Sequence, residues 1–430
     1  MQRRSFMAAS ATAVATAASA ASPSGKIRLG VIGGGRRGRS NLRSVLKLTE
    51  DIEVVAISEV FEPNLQLTLE MVPNARVYPD FRELIEADDI DAVLIATPDH
   101  WHAYMTVEAC KAGKDVYVEK PISVTVHEGQ MMVKAARKYD RVVQVGTQQR
   151  SGKHFQEAKD IVQSGSLGTI SFVRTWNYSN AYPDGIGTPP DTEPPADLDW
   201  DMWLGPAPER QFNKNRFGVN PYSFAHFRWF WDYAGGMMTD WGVHLLDIVL
   251  WAMAEPGPRS ISTYGGKYAL IDNRETPDTI MASYEFPGFV CTYENRVANA
   301  NAGGLPGYGI QFHGTEGTLY VNRGYWEITP EQRRNRGGGA ENRMEAARGE
   351  SRNPTTDDHW RDFVAAIRDR SKPICDIEIG HRSTAMALLG NVSMRSRQRV
   401  DWDPASETTN NKEAQTYLRS EYRPPWKLEL

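Results

Sequence analysis

The 430-residue chain is 40% hydrophobic and 24% charged with a formal net charge of −5, the balance of a folded protein long enough for two domains and a large core. An acidic chain lacks the footprint of a nucleic-acid or anionic-membrane binder. Its three cysteines, Cys110, Cys291 and Cys375, are far apart with no metal-spaced pair, so neither a metal site nor a disulfide framework is expected.

The N-terminus reads Met-Gln-Arg3-Arg4-Ser5-Phe6-Met7, then runs Ala-rich and free of charge to Ala20. A basic start, a weakly apolar middle and small residues at a cleavage point describe an export signal, and adjacent arginines followed by Phe6 resemble the twin-arginine type. A disordered leader is the alternative. The run is too short and too rich in Ala and Ser to span a bilayer. Residues 1–25 are therefore expected to be signal and linker, and the mature protein to be periplasmic without membrane insertion.

Ile27-Arg-Leu-Gly-Val-Ile32 is a strand pattern that enters Gly33-Gly34-Gly35-Arg36-Arg37-Gly38, followed by a helical composition. Gly33, Gly35 and Gly38 fit G-x-G-x-x-G in the strand–turn–helix setting where a pyrophosphate approaches a helix N-terminus. A second strand, residues 53–57, leads to Glu59, at the distance where a carboxylate binds ribose hydroxyls. An acid there repels a 2′-phosphate and favours NAD; Arg36 and Arg37 leave NADP possible. Helices over 64–71 and 81–86 and a strand over 91–96 continue the alternation that predicts a parallel, doubly wound sheet. The turn Thr97-Pro98-Asp99-His100-Trp101-His102 opens the next helix. Thr97 and His102 are candidates for the cofactor wall, although His102 could equally be a helix N-terminal residue satisfied by backbone.

Asp115-Val-Tyr-Val-Glu-Lys-Pro-Ile122 is a buried-strand pattern ending in an acid, a base and a proline that cannot continue the ladder. In a parallel sheet, ligands bind beyond the carboxyl ends of the strands, which places Glu119 and Lys120 for chemistry. The alternative is a surface ion pair at a strand end. A helix over 126–139 and a strand over 142–145 complete this half, and Gly146-Thr-Gln-Gln149-Arg150 leaves the sheet.

Taken in order, Gly-Val-Ile-Gly-Gly-Gly-Arg-Arg-Gly, Ala-Thr-Pro-Asp-His-Trp-His, Ala-Gly-Lys-Asp-Val-Tyr-Val-Glu-Lys-Pro and Val-Gly-Thr-Gln-Gln-Arg resemble the Gfo/Idh/MocA oxidoreductases from Lys26 onward. The resemblance implies an α/β protein: an N-terminal Rossmann domain (26–146) and a C-terminal α+β domain (147–400) whose open, mainly antiparallel sheet faces the cofactor and mediates homo-oligomerisation, as dimer or tetramer. It also implies a nicotinamide enzyme of sugars or polyols.

In the second half, residues 151–164 read as a helix and 169–178 as a strand. A Pro/Asp-rich loop over 182–201 precedes Trp-Leu-Gly-Pro-Ala-Pro and an aromatic run from Phe224 to Tyr233, which forms either a substrate wall or a subunit interface. Gln149, Tyr178, Arg228 and Trp231 are the candidate substrate contacts. In Gly235-Gly-Met-Met-Thr-Asp240-Trp-Gly-Val-His244-Leu-Leu-Asp247, Asp240 and His244 are four apart and share a helix face. The bland reading pairs His244 with Asp247 as a satisfied core histidine; the resemblance matches Asp240 and His244 to the family's D-x-x-x-H pair opposite the lysine. Short strands follow over 260–268, 279–286, 290–296, 309–313 and 318–321. Residues 331–352 show no apolar period and are expected to form a mobile excursion, and the aromatic tail 401–430 to pack on the body.

The expected activity is hydride transfer at a secondary alcohol with tightly retained NAD. His244 takes the hydroxyl proton, Lys120 stabilises the developing alkoxide and Asp240 orients His244 or holds a neighbouring hydroxyl. An NAD-dependent glycosidase or lyase acting by transient oxidation is the alternative, and a non-catalytic carbohydrate-binding protein a third.

Overall fold

Two sheets organise the protein, whose computed structural model describes residues 25–222, 225–334 and 338–430. The expected export signal and Phe224 of the aromatic run lie outside the described residues. In the first sheet, β1 (Ile27–Ile32), β2 (Ile52–Ser58), β3 (Arg76–Tyr78), β4 (Ala92–Ile95), β5 (Asp115–Val118) and β6 (Val143–Val145) run parallel in the order β3-β2-β1-β4-β5-β6. β4 and β5 are buried along their whole length, because α1 (Arg36–Val45), α2 (Glu62–Leu69), α3 (Phe81–Glu86), α4 (Asp99–Lys111) and α5 (Val126–Lys138) alternate with the strands as crossovers. The strand order reverses between β1 and β4. That topological switch point opens a crevice at their carboxyl ends, where the glycine loop and the Thr97 turn meet.

The second half begins with α6 (Lys153–Gln163) and the long strand β7 (Ile170–Tyr178). An insertion then carries β8 (Asp191–Thr192), α7 (Trp200–Leu204), β9 (Phe212–Asn213) and α8 (Lys214–Phe217). Its Trp203, Phe212, Phe217, Phe227, Phe230 and Tyr233 bury one another as a separate aromatic cluster. The helical pair α9 (Gly236–Asp240) and α10 (Gly242–Met253) follows, then β10 (Ser260–Gly266), β11 (Thr279–Glu285), β12 (Val290–Arg296), β13 (Tyr308–Gly314), β14 (Gly317–Val321) and β15 (Tyr325–Pro330).

With β18 and β19, named below, these strands form a nine-stranded sheet, β18-β15-β14-β13-β7-β12-β11-β10-β19. All neighbours are antiparallel except β7 and β12. β11 alternates buried and exposed residues, as a strand with one covered face must. The covered face packs on α10 and α12 (Ile377–Ser396) in one core that includes Leu246, Val249, Tyr284 and Leu389.

Two expectations change. Residues 331–352 hold β16 (Gln332–Arg334), β17 (Ala340–Asn342) and β18 (Ala347–Glu350); β16 pairs with β17, and β18 with β15 at the sheet edge. These strands are exposed except at Gly349, so backbone pairing builds them with almost no apolar burial, and no period appears. The late helix α11 (Thr355–Asp369) packs on the first sheet rather than the second: Trp360 stacks on Tyr117 at 4.2 Å and joins Phe363 in the core with Leu29 and Leu94. The packing boundary therefore does not follow the chain order. The tail also divides: Trp402, next to β19 (Val400–Asp401), is buried in the second core, while Trp426 packs on Trp101 and Tyr104 of α4.

Candidate functional site

The switch-point crevice is a cavity of about 470 Å³ lined by both halves of the chain. At one end lies the glycine loop. Gly33 has φ +94°, and a Cβ there would meet the backbone of Ala96 at 2.8 Å. A Cβ on Gly38 would meet Gly33 O at 2.1 Å. These two glycines allow the loop to turn and α1 to close on it. Gly35 differs, because its Cβ direction is open apart from Asn64 Nδ2 at 3.8 Å, and it lines the cavity. It also caps α1 without a side-chain acceptor, which leaves the first N–H groups of the helix for an anion. Glu59 accepts from Gly34 N at 2.8 Å, Val60 N at 2.9 Å and Phe61 N at 3.0 Å, so the carboxylate of the second strand is fixed against the glycine loop. Burial pushes its pKa upward against those three donors.

Arg37 lines the cavity and is tied to Glu119. Its Nε donates to Glu119 Oε1 at 2.7 Å, and Asn41 Nδ2 donates to the same oxygen at 2.9 Å. Glu119 is thus a buried clasp between α1 and the end of β5. Burial opposes its charge, and the Arg37 guanidinium and Asn41 amide nevertheless hold it below the usual carboxylate range. His102 is buried with Nδ1 at 2.7 Å from Pro121 O and Nε2 at 2.9 Å from Thr97 O. Both nitrogens are occupied by backbone carbonyls, so it ties the Thr97 turn to the Lys120–Pro121 segment. Thr97 and His102 both line the cavity.

At the other end, Lys120 Nζ donates to Asp240 O at 2.7 Å and to Asp240 Oδ1 at 3.0 Å. Arg228 Nε lies 3.6 Å from the same Oδ1. Although burial opposes ionisation, Lys120 and Arg228 bring Asp240 down to about 2. Asp240 therefore orients Lys120, and no hydrogen bond joins it to His244. The two do not share one continuous helix: the chain breaks at Trp241 (φ −99°, ψ −35°) between α9 and α10, yet both side chains line the cavity.

His244 is 5% exposed, and its Nδ1 has no hydrogen-bond partner among the described residues. Burial, with Lys120, Arg323 and Arg37 nearby, drives its pKa well below the ordinary histidine value. The bland pairing with Asp247 is absent. Asp247 accepts from Arg150 Nε at 2.8 Å and Nη2 at 2.9 Å and from Ser383 Oγ at 2.6 Å, which leaves the imidazole to the cavity.

Of the substrate candidates, Arg228 lines the cavity and three do not. Gln149 is buried behind it, donating to His244 O at 3.2 Å and accepting from Arg323 Nε at 3.1 Å; its neighbour Gln148 faces the cavity instead. Tyr178 lies on the large sheet, donating to Glu294 Oε2 at 2.7 Å beneath Arg296. Trp231 is held by Glu275 and Arg395. Sequence reading passed over Arg323, in the turn after β14, and Asp99, the first residue of α4. Asp99 is 8% exposed, and burial raises it to about 8 despite Arg228 and Lys120.

The insertion roofs the Glu59 end of the crevice. Asp199 N donates to Val60 O at 3.0 Å, Phe61 and Phe217 meet edge-on at 5.1 Å, and Arg39 donates to Pro221 O. Val219 and Asn220 line the cavity beyond.

Comparison with known proteins places the chain. Residues 27–147 match an oxidoreductase family described as an NAD-binding Rossmann fold, residues 151–262 its C-terminal alpha/beta domain and residues 211–320 a further GFO/IDH/MocA C-terminal domain. Myo-inositol 2-dehydrogenase of Thermotoga maritima is 32% identical over 157 residues, 36% of this chain and 47% of that protein. An uncharacterized oxidoreductase of Bacillus subtilis, YrbE, is 31% identical over 149 residues, 35% of this chain and 43% of that one. The chain thus spans less than half the length of these curated relatives. The WlbA dehydrogenase of Bordetella pertussis, solved with NADH and UDP-GlcNAcA, shares the fold at TM-score 0.65 and 19% identity, covering 88% of this chain and 99% of that one. Levoglucosan dehydrogenase, solved with NADH and levoglucosan, matches at TM-score 0.65 and 18% identity over 87% and 99%. Residues 27–320 therefore carry the NAD-binding and C-terminal domains of the Gfo/Idh/MocA oxidoreductase family.

Proposed function

We propose that the protein is an NAD-dependent oxidoreductase acting on a secondary alcohol of a sugar or polyol, with the cofactor tightly retained. The observation that carries this reading is the meeting, in one cavity, of an open glycine loop with the Lys120–Asp240 pair and an unpartnered, neutral His244. The crevice fits the dinucleotide: Gly35 leaves room where a side chain would intrude, the uncapped start of α1 receives phosphate, and Glu59 receives ribose hydroxyls. A carboxylate at the ribose, with Arg37 committed to Glu119, favours NAD over NADP. When bound, the nicotinamide supplies a hydride acceptor.

Lys120 points its ammonium at the crevice end, held by Asp240, and stabilises charge developing on the substrate oxygen. His244 accepts a hydrogen bond from the substrate hydroxyl through its neutral imidazole. Arg228 and Arg323 supply donors for further hydroxyls. Tight retention is supported by the roof over the Glu59 end and suits the exported location expected from the N-terminus, because a retained cofactor needs no external supply. A homo-oligomer through the open sheet face is supported by Tyr264 and Met281, 74% and 50% exposed on β10 and β11.

The test is mass spectrometry of nucleotide released on denaturation, then NADH absorbance over a sugar and polyol panel. Lys120→Met and His244→Gln are each expected to lower turnover by about 10²- to 10⁴-fold with nucleotide still bound. Full activity in both variants, or a protein carrying and binding no nucleotide, would overturn the reading. Glycoside cleavage without net NADH would replace it with transient-oxidation chemistry.

A further inference from the structure

Four carboxyl groups line the crevice: Glu59, Asp99, Glu119 and Asp240. Three are committed. Glu59 is held by three backbone N–H groups, Glu119 by Arg37 and Asn41, and Asp240 by Lys120 with Arg228 beside it. Among the described residues, Asp99 alone of the four accepts no hydrogen bond from another residue, although it is 8% exposed and lines the cavity.

We propose that Asp99 is a further catalytic residue, the group that finally holds the proton of the substrate hydroxyl. The inference rests on the proposed function for its substrate and adds a residue to that site. His244 is a poor final holder, because an imidazolium would form in a buried position beside Lys120, Arg323 and Arg37. A negative charge on Asp99, by contrast, faces Arg228 from the 3₁₀ turn His226–Trp229 and Lys120 from the end of β5, with Asp240 of α9 opposing it. The other titratable groups at the start of α4 are engaged: His100 Nε2 lies 3.1 Å from Trp203 O, and His102 has its two carbonyls.

The step balances. The substrate O–H bond breaks as its proton passes to His244, the imidazole yields a proton that forms a new O–H bond on the Asp99 carboxylate, and the C–H electron pair leaves as hydride for the oxidised nicotinamide as the carbonyl forms. In the reverse direction the Asp99 carboxylic acid returns the proton. The opposite displacements of Asp99, to about 8, and Asp240, to about 2, are the environment-driven separation that sets acid and base roles in a shared cleft.

The test compares wild type with Asp99→Asn, which preserves shape. NADH binding is measured first, by quenching of protein fluorescence, and is expected to be equal in the two. Infrared difference spectra are then recorded as pH rises through about 8. Wild type is expected to lose a carboxylic-acid C=O band that Asp99→Asn never shows. With a substrate found in the panel, alcohol oxidation by wild type should rise along the same titration, and the Asn variant should be about 10²- to 10⁴-fold slower with that limb flattened. A band unchanged by the substitution, or a retained limb, overturns the assignment to Asp99. Failure of both proteins to bind NADH overturns the proposed function itself, and the inference with it.

Discussion

Lys120 and Asp240 are 120 residues apart, yet Lys120 Nζ contacts both the backbone oxygen and the carboxylate of Asp240, at 2.7 and 3.0 Å. This double contact locks the end of β5 to α9 across the crevice. Lys120→Met leaves a buried carboxylate whose remaining ion-pair partner among the described residues is Arg228, at 3.6 Å. We expect a loss of up to about 3 kcal/mol in unfolding free energy, below the full cost of an unpaired buried charge because Arg228 remains. Chemical denaturation measures this, and a stability equal to wild type would show that the pair is not formed.

Beneath His244 lies a second buried pair. Arg150 and Asp247 have side chains 5% and 0% exposed and form a bidentate contact that Ser383 extends. Asp247→Asn removes the charge while Arg150 stays buried, so a loss of about 3–5 kcal/mol is expected. Because Asp247 makes no hydrogen bond to His244, the variant that folds should keep the wild-type pH profile while its melting temperature falls. A shifted profile would restore the Asp247–His244 pairing.

How much of this was legible beforehand follows from what each residue's signal depends on. Gly33, Gly35, Glu59 and Lys120 act through local strand–turn geometry, which spacing encodes, and they line the crevice, with Gly38 packed behind Gly33. Gln149, Tyr178 and Trp231 were assigned from their neighbourhood in sequence, and each is claimed by a distant partner: His244 and Arg323, Glu294, and Glu275 with Arg395. Such pairings are tertiary and leave no trace in spacing. Asp99 was hidden for the converse reason: its feature is a buried carboxyl that accepts no hydrogen bond from another described residue, which only the assembled cavity reveals. β3, too, is exposed at Arg76 and Val77 and carries no apolar period.

Phe217 is 5% exposed, meets Phe61 edge-on at 5.1 Å and packs on Trp203. Phe217→Ala should cost about 3–5 kcal/mol if the cluster cannot collapse, and it loosens the roof where the insertion meets the loop after Glu59. The expected outcome is faster nucleotide release with little change in the chemical step. A chase of bound NADH by excess unlabelled nucleotide reads the first and a single-turnover rate the second. An unchanged release rate would detach the insertion from cofactor retention.

Asp99 also sets a stability signature with a definite sign. Its pKa is raised by burial from the ordinary aspartate value of 3.8 to about 8, so between those limits the folded protein keeps a proton that the unfolded chain releases. The stability contributed by that protonated carboxyl is complete below the unfolded value and declines as pH rises through the window. Above about 8 the folded protein holds a buried charge, opposed by Asp240 and relieved in part by Arg228 and Lys120. Asp99→Asn carries no such linkage, so its melting temperature should exceed that of wild type at mildly alkaline pH, with the gap closing on acidification toward the ordinary aspartate range. Calorimetry of both proteins across that range checks it. A gap that is absent, or that widens in acid, would mean that Asp99 is ionised and partnered in the folded state. A gap of the expected sign, together with slower alcohol oxidation, would mark a residue whose burial lowers stability where it serves the chemistry.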